Sequence, residues 1–307
     1  MSDDFLEVPS QVPSEAPSEA PSEAPSEAPN PFDSFSAFEL GLLLLVALAF
    51  TWGIGLLLQP RGAGTVGLVW FHLEVQAVQF LLMGLGALVY ARKRGVDLGR
   101  MLRRGITPGI ALVSLGVATL LLANELSFLF GLVALAFQFF PEVVRGWAGW
   151  LEQIHGLDYT VAGPIALAGQ FVIVVLLGPL VEEFIFRGLL FPRWSRKWSL
   201  TRGIVVSSVV FGLLHFTRDP FGSTIFGMAM CILYHHTRTL WAPFLAHAAS
   251  NAFGWSAQLA FSQGNQPKGV DMTPVEIRNT LIGSALVLLV ALPLVVHLFR
   301  KYWPRPA

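Results

Sequence analysis

Cysteine is almost missing from this chain. Cys231 stands alone, so no intrachain disulfide can form and a zinc site built on thiolates is excluded. The His-Glu-x-x-His pattern of helix-borne zinc peptidases does not occur. Charge is scarce: Asp, Glu, Lys and Arg make up 13% of the 307 residues, against 54% hydrophobic ones. It is also unevenly placed. Nine of the 20 acidic residues precede residue 40, where there is no Lys or Arg. The start therefore lacks a positive n-region, and no apolar h-region follows, so no cleavable signal peptide is expected.

What the chain has in abundance is apolar sequence. Several runs approach or exceed the ~20 residues that a spanning helix needs. The expected fold is all-α, a polytopic membrane protein with about eight transmembrane helices, near 38–58, 68–91, 109–131, 161–191, 203–219, 221–237, 239–261 and 279–300. The fourth is long enough to be tilted or broken near Gly178-Pro179. Residues 1–36 form a separate tail in which Pro-Ser-Glu-Ala repeats four times from Pro13 to Ala28. Proline every fourth residue blocks helix and sheet ladders, and the acidic charge resists collapse, so an extended arm is expected. Residues 37–160 then hold the first helices and an interfacial segment with Glu142, Arg145, Trp147, Trp150 and Glu152. Residues 161–262 form the core discussed below, and 263–307 the last helix and a basic end.

Lys and Arg set the orientation. The loops after the second and fourth helices carry Arg92, Lys93, Arg94, Arg100, Arg103 and Arg104, and Arg193, Arg196, Lys197 and Arg202. The alternate loops hold far fewer. Eight spans with both termini in the cytoplasm satisfy these placements together; in a bacterial host the membrane would be the plasma membrane.

Within this apolar background, Gly178 to Leu190 reads GPLVEEFIFRGLL. A charged residue at the centre of a spanning helix costs on the order of 2.5 to 3.5 kcal/mol on insertion scales, so it persists where it is paired, wet or functional. Glu183 and Arg187 are four apart and can pair on one helix face. Glu182 points about 100° away. Three helices then place polar residues at a shared depth. Glu182 lies ten residues before Pro192, His215 twelve after Gly203, and His247 and Asn251 nine and thirteen after Arg238. At ~1.5 Å per residue these depths are roughly 14 to 20 Å, near the middle of a hydrocarbon core about 30 Å thick. His247 and Asn251 share a face, as do Phe211 and His215. A carboxylate held away from water suits a general base, histidines orient water or carry protons, and an amide donates to an oxyanion. Together they suit hydrolysis of a peptide bond within the bilayer. His72, Glu74, Gln76, Gln79, Asn124 and Glu125 lie toward the opposite leaflet and read as packing or interfacial groups.

Glu-Glu-x-x-x-Arg at 182–187, Phe-x-x-x-His at 211–215 and His-x-x-x-Asn at 247–251, in that order on membrane helices, resemble the CPBP family of intramembrane proteases. That family holds the CAAX prenyl endoproteases and the bacteriocin-processing and self-immunity (Abi) proteins. The resemblance covers residues 160–262. It implies that Glu182 activates water, that His215 positions it, and that His247 and Asn251 complete the site and stabilise the oxyanion. Glu183 and Arg187 would support it, with Phe211. No cofactor is expected; the alternative is a divalent metal such as zinc on Glu182, His215 and His247. The expected partners are the lipid bilayer and a protein or peptide substrate, not nucleic acid, and the oligomeric state is left open. Two other functions compete: a non-catalytic immunity or scaffold protein of the same fold, and a proton-coupled transporter, since midplane acids and histidines also mark proton paths.

Overall fold

The computed structural model describes residues 31–32, 35–60, 62, 64–155, 157–216, 219–262 and 271–304, without the side chains of 151–155 and 261–262. The Pro-Ser-Glu-Ala repeat lies outside these residues, as does the segment 263–270. The described chain is helical, with no β-strand among its described residues. It runs as α1 (Ala37–Leu58), α2 (Thr65–Lys93), the short α3 (Leu98–Leu102), α4 (Pro108–Phe139) and α5 (Pro141–His155). After a 3₁₀ turn at Tyr159–Ala162 comes a composite helix: α6 (Gly163–Phe171), a π turn (Val172–Leu177), α7 (Gly178–Glu183), a second π turn (Phe184–Leu190) and α8 (Phe191–Lys197). The chain closes with α9 (Leu200–Leu214), α10 (Pro220–Thr237), α11 (Trp241–Ser262) and α12 (Pro274–Tyr302).

Local signals set many of these boundaries. Thr107 accepts from the Ile110 amide and is followed by Pro108 at the start of α4. Asp219, followed by Pro220, accepts from the Phe221 and Gly222 amides. Thr273 and Glu276 form a reciprocal capping box before α12. Each device satisfies amides that the first helical turn leaves without carbonyl partners. Arg238, at φ 56°, ends α10 in the left-handed region.

Each of the eight expected segments is a helix, and the protein is an all-α integral membrane protein. Among the described residues, five helical stretches are long and apolar enough to cross a bilayer by themselves: Ala37–Leu58, Thr65–Lys93, Pro108–Phe139, Tyr159–Lys197 and Pro274–Tyr302. The other three, α9, α10 and α11, are shorter or more polar, so the expected count of eight spans goes beyond what length and hydropathy establish. The segment expected at 203–219 is Leu200–Leu214. Ser199 caps it three residues earlier by accepting from the Arg202 amide, and His215 ends it. The break expected near Gly178-Pro179 is instead two π turns within a continuous helix.

Packing brings α9, α10 and α11 around the composite helix, with α4 between α11 and α12. Two glycines allow the closest approaches. A Cβ on Gly203 would lie 2.6 Å from the Ser195 amide nitrogen, and one on Gly212 would lie 2.5 Å from the Pro220 carbonyl oxygen. Both meet backbone that cannot swing aside, so α9 is pressed onto α8 at one end and onto the start of α10 at the other. The second contact fixes the turn that carries His215. In α5, Trp147 and Trp150 are exposed and Arg145 bonds both Glu142 and Asp271. The Asp271 carboxylate beside Arg145 pushes that guanidinium's already high pKa further up.

Candidate active site

Glu182 and Glu183 end α7, between the two π turns. A π turn inserts an extra residue into the helix, which rotates everything beyond it by about one residue's angle, ~100°, relative to an uninterrupted α-helix. Here two such insertions bracket the acidic pair.

Glu183 lies inward. Its side chain is 1% exposed, and its Oε1 accepts from Arg187 Nη1 at 3.0 Å and from His247 Nδ1 at 2.8 Å. Arg187 is wholly buried. Its Nη2 donates to the Gly227 carbonyl at 3.2 Å, and its guanidinium lies 4.6 Å from the Phe211 ring centre. Opposite charge, a carbonyl and an aromatic face together offset the cost of burying it. The expected Glu183–Arg187 pair is therefore present. Its bond to His247 is a link that sequence spacing did not reveal, because it joins residues 64 positions apart.

Glu182 faces the other way, with 19% of its side chain exposed, enough to meet water. Its Oε2 lies 3.8 Å from His247 Nε2 and 4.0 Å from His215 Nε2. His215 Nδ1 is 2.8 Å from the Phe211 carbonyl. A carbonyl can only accept, so Nδ1 carries the proton and neutral His215 presents a lone pair at Nε2. His247 Nδ1 likewise donates to the Glu183 carboxylate. Both imidazoles are thus oriented from behind, with Nε2 turned toward Glu182. Phe211 supports the arrangement: its ring centre lies 4.4 Å from that of His215 and 6.0 Å from that of His247. Separations near 4 Å, beyond direct hydrogen bonding, leave these groups able to share a bridging water.

The same three side chains were the expected alternative metal ligands. Among the described residues no three His, Cys, Asp or Glu side chains converge as a metal site requires. The donor set itself has the chemistry that zinc takes.

Asn251 sits on the site's face of α11, yet its Nδ2 donates to the Val174 carbonyl at 2.9 Å. Further along α11, Trp255 Nε1 donates to Gln170 Oε1 at 3.0 Å and Gln170 Nε2 reaches Gln258 Oε1 at 3.5 Å. This polar seam also escaped the motif-based reading. Positions 251, 255 and 258 follow helical spacing, and that is the signal that would have found it. Of the polar residues toward the opposite leaflet, His72 bonds Tyr159, and Gln76 and Asn124 bury their side-chain oxygens.

Comparison with known proteins covers this region of the chain. Residues 164–253 match the Rce1-like family, described as type II CAAX prenyl endopeptidase Rce1-like. Glu182, Glu183, Arg187, Phe211, His215, His247 and Asn251 all fall inside the match. A Bacillus subtilis (strain 168) protein with the provisional designation membrane peptidase YdiL is 31% identical over 98 residues, which is 32% of this chain and 38% of that protein. The aligned part thus spans little more than a third of the relative's length. No solved structure matches the chain. At family level both matches support a membrane protease.

Proposed function

We propose that this chain, whose residues 164–253 match the Rce1-like family, is an intramembrane endopeptidase that hydrolyses a peptide bond of a membrane-associated protein or peptide. The observation that carries the proposal is the Glu182 carboxylate facing two imidazole Nε2 atoms at 3.8 and 4.0 Å. Each imidazole is held at Nδ1 by a separate acceptor.

In this reading Glu182 and His215 accept the two hydrogens of a water, which aims its oxygen at the scissile carbonyl carbon. Glu182 takes one proton as the C–O bond forms. The carbonyl oxygen becomes an oxyanion, and His247 meets it through Nε2–H. That donor requires the imidazolium form, in which Nδ1–H is held by Glu183. Glu182 then passes its proton to the departing amine nitrogen as the C–N bond breaks. Arg187 holds Glu183 in place. This route uses no cofactor and no metal ligand. The partners are the bilayer and the substrate polypeptide, and both termini lie in the cytoplasm.

The test compares protein termini in cells carrying the wild-type chain and Glu182→Gln at equal amounts. Membrane-proximal termini present with the wild type and absent with the variant are expected. Identical termini in both would overturn the proposal.

A further inference from the structure

Pro179 removes a hydrogen-bond donor from the middle of the site helix. In the first π turn the Gly178 amide donates to the carbonyl of Ile173, five residues back. In the same register the Val174 carbonyl would receive the amide of residue 179. That residue is proline and has no N–H. The alternative donor in α register is Gly178, whose amide is already directed to Ile173. Val174 is thus left with a carbonyl that its own helix does not serve. A carbonyl stranded in an apolar helix bundle costs several kcal/mol on transfer scales. The structure supplies the missing donor from another helix, the Asn251 side chain at 2.9 Å.

We propose that Asn251 is a positioning residue: its amide replaces the N–H that Pro179 lacks, and so holds the first π turn that sets the direction of Glu182. The proposal rests on the enzymatic reading for its functional half and on geometry alone for its structural half. Two observations support it beyond the single bond. The hydrogen bonds among Gln170, Trp255 and Gln258 continue the same seam one turn away, so α11 is joined to the π turn's carbonyl and to the helix before it. Gln170 is 6% exposed and the Phe171 ring packs edge-on against Trp255, so the seam is buried at its Gln170 end, while Gln258 at its far end is exposed. Glu182 lies only three residues beyond Pro179. A π turn that relaxed to α geometry would rotate it by about one residue's angle, ~100°, away from His215 and His247. Pro179 and Asn251 thus form one device in two parts, a missing donor and its replacement.

Such a device makes a specific prediction, because Pro179→Ala restores the backbone N–H and leaves Asn251 nothing to replace. The experiment is a double-mutant cycle on the full-length protein with Asn251→Ala, Pro179→Ala and both together. Two quantities are read: thermal stability in detergent, and membrane-proximal cleavage in cells per folded molecule. Normalising to folded protein matters, since a residue with a purely structural role would lower the amount of protein without lowering cleavage per molecule. Asn251→Ala alone is expected to lower the unfolding temperature and to cut cleavage per molecule at least tenfold. In the Pro179→Ala background both losses should shrink, the cleavage loss to under threefold. Equal losses in the two backgrounds would overturn the proposal and put the Asn251 amide on the reacting atoms instead. If Asn251→Ala does not accumulate, Asn251→Asp, of the same shape but without amide hydrogens, takes its place in the cycle. Coupled stability losses with no cleavage by any form, wild type included, would leave the device standing and refute the protease reading. These two failures are therefore separable.

Discussion

The composite helix and α12 are both long, apolar and able to cross a membrane, yet they are built on opposite plans. In the most apolar window of Tyr159–Lys197, 39% of residues are buried inside the protein; in Pro274–Tyr302 the share is 17%. The first carries a carboxylate pair and a fully buried arginine, which meet His247, the Gly227 carbonyl and the Phe211 ring. The second turns Leu286, Leu289 and Val290 outward. The first helix meets protein over more of its surface, so more of its side chains are specified by partners. The second packs against α4 on one side and leaves much of the rest of its surface apolar and outward. Hydropathy alone does not distinguish them, because it records that a segment is greasy and not what the grease touches.

The strongest way to separate the two helices is through chemistry. Glu182→Gln keeps the shape of the side chain and removes the base. Cleavage is expected to fall by about 10²- to 10⁴-fold, the usual contribution of a general base, while thermal stability in detergent stays close to that of the wild type. Residual cleavage within a few-fold of normal would show that another group activates the water.

Arg187→Leu is the next largest change. It leaves Glu183 buried beside His247 without its cation. Removing one partner of a buried pair typically costs about 3–5 kcal/mol, so the variant should accumulate poorly and unfold at much lower temperature. An unchanged unfolding midpoint would mean that Glu183 is neutral or paired elsewhere. Leu189→Ala, in the second π turn, tests packing alone. Leu189 is 0% exposed. Large-to-small core changes cost about 2–5 kcal/mol in soluble proteins, and the membrane should bring this toward the lower end, near ~2, because lipid is itself as apolar as leucine and little transfer energy is lost. A thermal denaturation series on purified protein measures it.

Much of this contrast could be read before the fold was known. The apolar runs located the eight expected helices, since twenty-odd apolar residues have few other stable forms, but not the short α3. The shared depth of Glu182, His215, His247 and Asn251 brought three helices to one place, and the structure puts Glu182 between the two histidines. The internal register of the site helix was not readable in the same way. A π turn is a choice among backbone carbonyls one residue apart, and side-chain hydropathy barely registers it. Pro179 was visible as a potential break, but its outcome depends on whether another helix can supply a donor. Asn251 does so from 77 positions away. The end of α9 was misplaced for a similar reason. Leu213, Leu214 and Phe216 prolong the apolar run, while the turn at His215 is fixed by Gly212 closing on Pro220 and by Asp219 capping α10.

The smallest expected effect comes from the matching leucine on the other helix. Leu289 is 73% exposed in α12, and what surrounds it in the membrane is acyl chain. Leu289→Ala removes the same atoms as Leu189→Ala. No rigid cavity can form, however, because lipid flows into the space, and no transfer energy is lost, because the leucine was in hydrocarbon before and after folding. The stability change should fall within the roughly 0.5 kcal/mol typical of surface positions away from specific contacts, with cleavage unchanged. The comparison rests on the difference between the two leucines rather than on either value. A Leu289→Ala loss as large as that of Leu189→Ala would show that this face of α12 is packed against protein, through a second copy or a partner, and not against lipid.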